Sequence, residues 1–167
     1  MTAILTISIL LAVLYTGIAI WRKKSLPHSI SAIVYDFSRG WQWCWTAWLS
    51  LVAITIAPGL IDATPEPFKF VAFATCACLL FTAAVPLVRG TRNTTHAVLA
   101  YAAGILSQVC VAITSPLWLL GWTAFAAIII RATTSKDKEL PEWLQGKGTF
   151  IIETICWATT IGSIIIH

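Results

Sequence analysis

Residues 68–88 read Phe-Lys-Phe-Val-Ala-Phe-Ala-Thr-Cys-Ala-Cys-Leu-Leu-Phe-Thr-Ala-Ala-Val-Pro-Leu-Val, with Lys69 the one charged side chain among them. A helix rising 1.5 Å per residue needs about 20 apolar residues to cross the hydrocarbon core of a bilayer, and this run has that length. Runs of the same kind lie at 2–21, 41–61, 96–114, 116–131 and 149–166. The 167 residues are 58% hydrophobic and 11% charged, too apolar a balance for a soluble domain of this size. The longest connectors, 22–40 and 132–148, are too short to bury a core of their own. The expected fold is therefore all-α: a polytopic integral membrane protein, one compact bundle of six transmembrane helices forming a single domain over 1–167.

The basic residues orient this bundle. Arg22, Lys23, Lys24 and Arg39 fall in the first loop, Arg89 and Arg92 in the third, and Arg131, Lys136, Lys138 and Lys147 in the fifth. Lys69 is the exception. Basic residues stay on the cytoplasmic side during insertion, so the odd-numbered loops are expected there and both termini outside. The formal net charge of +4 is then a topology signal that also suits anionic headgroups, and it gives no reason to expect a nucleic-acid partner. No basic residue precedes the first span, as one would in a signal peptide, so that span is expected to be retained. With no lipobox cysteine or organelle address, a bacterial cell (inner) membrane is the expected location.

The connectors carry further signals. Residues 25–37 are amphipathic but too short and polar to span, and Pro27 with its flanking serines predicts a short interfacial helix ended by Gly40. Trp41, Trp43, Trp45 and Trp48 open the second span. Their expected role is to anchor it at the headgroup boundary; the helical spacing of Trp41, Trp45 and Trp48 equally describes an aromatic-lined ligand groove. Ala72 with Cys76, Ala74 with Cys78, and Ala100 with Gly104 are small-residue pairs that permit close helix approach. Thr114-Ser115-Pro116 predicts a tight hairpin between spans four and five. In the fifth connector Leu140, Trp143 and Leu144 are expected to dock on the membrane surface. Cys44, Cys76, Cys78, Cys110 and Cys156 show no metal or redox spacing and read as small buried hydrophobes.

Function in a membrane protein concentrates in polar groups that lipid disfavours. Glu153 is the one acidic residue well inside a span, about 7 Å from its start. His96 opens span four at the same level, with Ser107 and Gln108 deeper, and the first loop adds His28, Tyr35, Asp36 and Arg39. A His and a carboxylate at one depth can act as general base and acid. The plainer reading makes His96 a helix-end residue and pairs Glu153 with a basic loop side chain. No His-x-x-x-His or His-Glu-x-x-His occurs, so no metal site is expected. The polar side of span six, including Thr154, Thr159, Thr160 and Ser163, is expected to hydrogen-bond between helices.

The segment Leu26-Pro27-His28-Ser29-Ile30-Ser31-Ala32, together with His96, resembles the six-span DRAM and Sfk-type membrane proteins and their bacterial relatives. Those carry a Pro-x-Ile-Ser-type stretch in the same loop and often a His opening the fourth span. The resemblance implies the six-span fold and no catalytic residues; in that family the loop is expected on the side opposite to the one the basic residues give here.

The leading functional expectation is a lipid-associated or accessory interaction subunit without its own catalysis. Its partners would be membrane lipids, with a protein partner or self-association open, and no cofactor is implied. The alternative is an intramembrane or lipid-modifying enzyme using His96 and Glu153, assisted by Asp36 or His28. A small-molecule carrier ranks third, because neither half shows a paired mid-membrane helix break.

Overall fold

Six α-helices carry most of the described residues of the computed structural model, which are 2–24, 26–36, 38–88, 93–134 and 147–167. They are α1 (Thr2–Lys23), α2 (Arg39–Ala63), α3 (Lys69–Ala84), α4 (Asn93–Thr114), α5 (Gly121–Thr134) and α6 (Gly148–Ile165). No strand occurs among the described residues. Among the described residues five stretches are long and apolar enough to cross a membrane: Ala3–Arg22, Arg39–Ala63, Glu66–Leu87, Thr94–Thr114 and Gly148–Ile165.

The stretch 116–131 has a different form. It begins as a 3₁₀ turn, Pro116–Leu120, and continues as α5, which has 14 residues. Pro116 cannot donate a backbone hydrogen bond, and the chain reverses through tighter i to i+3 bonds, such as Trp118 N–H to the Ser115 carbonyl at 3.0 Å. The segment after α1 also departs from expectation. Among its described residues only Ser31–Asp36 is helical, and as a 3₁₀ turn, because the N–H groups of Ile30 and Ser31 bond to Glu153 instead. Gly40, expected to end that helix, lies in the first turn of α2, whose first N–H groups fold back onto the Ser38 carbonyl.

Consecutive helices α1 to α4 pack as neighbours, with α3 against α2 and α4 the most extensive pairings, and α6 lies beside α4. One core cluster, with Leu5, Ile56, Leu60, Val71, Cys110 and Ile164, fills the end of the bundle where α2 and α6 finish. A second, smaller one gathers Val34, Trp45, Leu49 and Ala83 at the end where α2 starts. Hydroxyls inside the helices mostly bond to a carbonyl one turn back, as Thr75 does to Val71, Thr82 to Cys78 and Thr154 to Phe150. That leaves an outer surface with little unmet polarity. α1 turns Leu10, Val13 and Leu14 outward, each more than 60% exposed, a face that hydrocarbon would accept and water would penalise. Of the cysteines, Cys76 and Cys110 are buried as expected, whereas Cys44 is exposed on α2.

Candidate functional site

The loop after α1 is tied to the start of α6 in two ways. The Phe150 N–H, one of the orphan donors of a helix N-terminus, bonds to the His28 carbonyl at 3.1 Å. Less than one turn further on, Glu153 reaches back into the loop. It accepts the Ser29 hydroxyl at 2.9 Å, the Ser31 hydroxyl at 2.6 Å, and the backbone N–H groups of Ile30 and Ser31. Each serine has one proton and spends it on the carboxylate, so the 3.0 Å approach of the two hydroxyl oxygens adds no third bond. Among the described residues Glu153 has no basic loop partner. Its partners are four neutral donors, and its charge is dispersed over a Ser-Ile-Ser clasp.

His96, in the first turn of α4, is 3% exposed. The Tyr35 ring stands edge-on to it at 5.3 Å, and the Trp45 ring lies tilted at 5.6 Å. The carbonyls of Thr82 and Ser31 are the polar groups that approach the imidazole, yet neither ring nitrogen reaches a partner at hydrogen-bonding distance and angle. The indole N–H of Trp45, itself 1% exposed, is likewise unmatched. Each such buried group costs about 1–3 kcal/mol unless something supplies its bond. Burial pushes the Tyr35 phenol above its ordinary value of 10.0, so it remains an uncharged O–H near neutral pH.

These groups share a cavity of about 680 Å³ that runs through the bundle, a size typical of small-molecule sites. His28, Ser29, Ser31, Tyr35, His96 and Glu153 line one end of it, and Leu49, Ile56, Leu79, Ala100 and Ala103 are among the apolar residues along its length. At the far end Gln108 knots three helices together. Its carbonyl oxygen accepts Trp122 N–H from α5 at 2.9 Å and the Thr159 hydroxyl from α6 at 3.0 Å, and its amide reaches the Cys156 carbonyl at 3.3 Å. The hydroxyls of span six thus divide between roles: Thr159 bonds across helices, while Thr154 bonds only within its own.

Three of the four sequence-derived candidates, His28, His96 and Glu153, line this one cavity. The side chain of Asp36 lies outside the described residues, as do Arg89, Arg92, Leu140, Trp143 and Leu144. Among the described residues no three His, Cys, Asp or Glu side chains gather as metal ligands would. The tryptophans divide. Trp41 and Trp43 are exposed at the start of α2, Trp41 beneath the Arg22 guanidinium at 5.9 Å, a placement suited to interfacial anchors. Trp45 and Trp48 are not surface anchors: Trp45 is a core residue, and Trp48 stacks on Tyr15 at 3.9 Å and donates its N–H to the Leu11 carbonyl. Both line the cavity, whereas Trp41, the third member of that helical stripe, does not. Sequence names Gln108 as a polar residue deep in span four and Ser29 and Ser31 within the Leu26–Ala32 segment, but gives neither the clasp nor the knot. A Ser-x-Ser in a loop facing a lone intramembrane carboxylate was the available signal. No family model, curated protein or solved structure matches the chain.

Proposed function

We propose that this protein is a multi-pass protein of a cell (inner) membrane that holds one amphipathic, lipid-like molecule in its interior and does no chemistry on it. In this reading it crosses the bilayer six times, odd loops inside and both termini outside. Over 116–131, the turn Pro116–Leu120 at about 2.0 Å per residue and α5 as far as Arg131 at about 1.5 Å together reach roughly 27 Å, close to the thickness of the hydrocarbon core. Lys69, the basic residue on the wrong side, is ion-paired to Glu66 and so carries little orienting weight.

The observation that carries the reading is the largely apolar cavity whose carboxylate and imidazoles lie at one end, while Gln108 at the other is engaged by Trp122 and Thr159. A lipid has that polarity profile, tail along the walls and head at the boundary. An enzyme is less well supported. A catalytic imidazole is normally oriented by a second hydrogen bond, which His96 lacks, and Glu153 is already engaged by four donors of its own loop.

The test is native mass spectrometry of protein released from mild detergent, with Ala100→Phe to fill the cavity. The wild type is expected to keep a lipid-sized adduct that the variant loses. Complete exchange to detergent in the wild type, or equal retention by the variant, would refute the reading.

A further inference from the structure

The cavity is apolar along its walls, so what it selects must be decided where its polar atoms go unmatched. Three such atoms are buried at one end: the Trp45 indole N–H and both imidazole nitrogens of His96. We propose that the cavity selects an uncharged lipid by a single oxygen, hydroxyl or carbonyl, seated between Trp45 and His96; this rests on the lipid-holding reading above. The two ring centroids lie 5.6 Å apart, so Trp45 and His96 are immediate neighbours on the cavity lining. An indole N–H can only donate, so the ligand atom must accept. A neutral imidazole offers one donor and one acceptor, so it can add a second bond to a carbonyl or take the proton of a hydroxyl.

The charges around the site argue against an ionised head. Among the described lining residues there is no Lys or Arg, and Glu153 is the acid among them. A phosphate or carboxylate would enter a low-dielectric space beside Glu153 with no counter-charge, which is strongly unfavourable. An ammonium would seek Glu153, but both carboxylate oxygens already receive the donors of Ser29, Ile30 and Ser31. An uncharged oxygen needs neither a counter-ion nor a break in the clasp.

The experiment compares probes sharing one tail and differing in head: octadecene, oleyl alcohol, methyl oleate, oleic acid and oleylamine. Each is titrated into the delipidated full-length protein in detergent, and bound probe is counted by native mass spectrometry. The alcohol or the ester is expected to bind about tenfold more tightly than octadecene, as one satisfied buried polar group would give, and more tightly than the acid or the amine. Trp45→Phe and His96→Phe keep a ring of similar shape. They should bind octadecene as the wild type does while losing most of the preference for oxygen.

Equal binding of octadecene, alcohol and ester, or a preference for the acid or the amine, overturns the inference while leaving a lipid-holding cavity in place. Binding of none of the five overturns the cavity reading itself. Should either variant not fold, the wild-type head-group series alone decides the matter.

Discussion

At the end of the bundle where α2 and α6 finish, side chains press onto two helical glycines until a Cβ would not fit; at the end where α4 begins, the helices stand apart around a cavity. A Cβ on Gly162 would fall 2.7 Å from three atoms of the Trp118 ring, and one on Gly59 would fall 2.8 Å from Ile164. Neither distance is tolerable without movement. The same addition at Gly104, on the cavity side of α4, meets only the Cys156 sulfur at 3.7 Å, an ordinary contact. Helices in lipid gain little from hiding apolar surface, so the closed end must be held by close packing, and the open end needs another fastener. Here the fastener is polar, the clasp on Glu153, while the knot on Gln108 ties the far end of the cavity. The contrast assigns stability to one end and binding to the other, and variants at each end can break it.

The largest effect is expected from Glu153→Leu. It leaves two hydroxyls and two backbone N–H groups without their acceptor, and hydrogen bonds to charged groups are the stronger kind. A loss of about 3 kcal/mol in reversible unfolding is expected, with faster proteolysis in the loop that the clasp holds. If stability and proteolysis are unchanged, Glu153 does not fasten the open end. Gly162→Ala comes next. Its methyl meets a rigid indole ring rather than a flexible tip, so overpacking should cost about 2 kcal/mol, read as a lower unfolding temperature. A neutral result there would mean the closed end is looser than its geometry.

Gln108→Leu is smaller again. It removes the acceptor of Trp122 and one acceptor of Thr159, but Thr159 also bonds to the Ile155 carbonyl within its helix. About 1.5 kcal/mol should be lost, mostly through the orphaned indole N–H. Trp122→Phe in the same background should then cost almost nothing more, because the pair shares one bond. Additive losses in the double variant would show that the two side chains do not depend on each other.

The closed end was legible in outline and the open end only in part. Apolar length alone marks the five long helices, since no other sequence property is needed to fill a bilayer. The stretch 116–131 was harder, because Pro116 alters the hydrogen bonding of its first turn without changing its apolar composition. His96 and Glu153 stood out because polar groups inside apolar runs are conspicuous. The partners of Glu153 did not. A basic residue was the natural expectation for a carboxylate, whereas serines and backbone N–H groups carry no charge to notice and lie more than 120 positions away. Spacing showed that Trp45 and Trp48 share a face of α2, but periodicity cannot say which neighbour covers that face. That depends on how α1 and α4 pack, which only the assembled bundle specifies.

The smallest predicted effect discriminates best, because its sign changes between the two ends. Gly104 forms a small-residue pair with Ala100 and by sequence reads as a point of close helix contact, whereas Gly162 is such a point only in the folded bundle. The structure separates them. Glycine in a helix interior costs roughly 0.5–1 kcal/mol relative to alanine, chiefly through backbone freedom lost on folding. At Gly162 the clash with Trp118 outweighs that gain. At Gly104 nothing opposes it but a 3.7 Å contact with a sulfur atom. Gly104→Ala should therefore raise stability by about 0.5 kcal/mol, seen as a small increase in unfolding temperature, with retention of the lipid adduct unchanged. Destabilisation by Gly104→Ala would mean that Gly104 has no more room beside the cavity than Gly162 has against Trp118, and the division of the bundle into a packed end and a receiving end would fail.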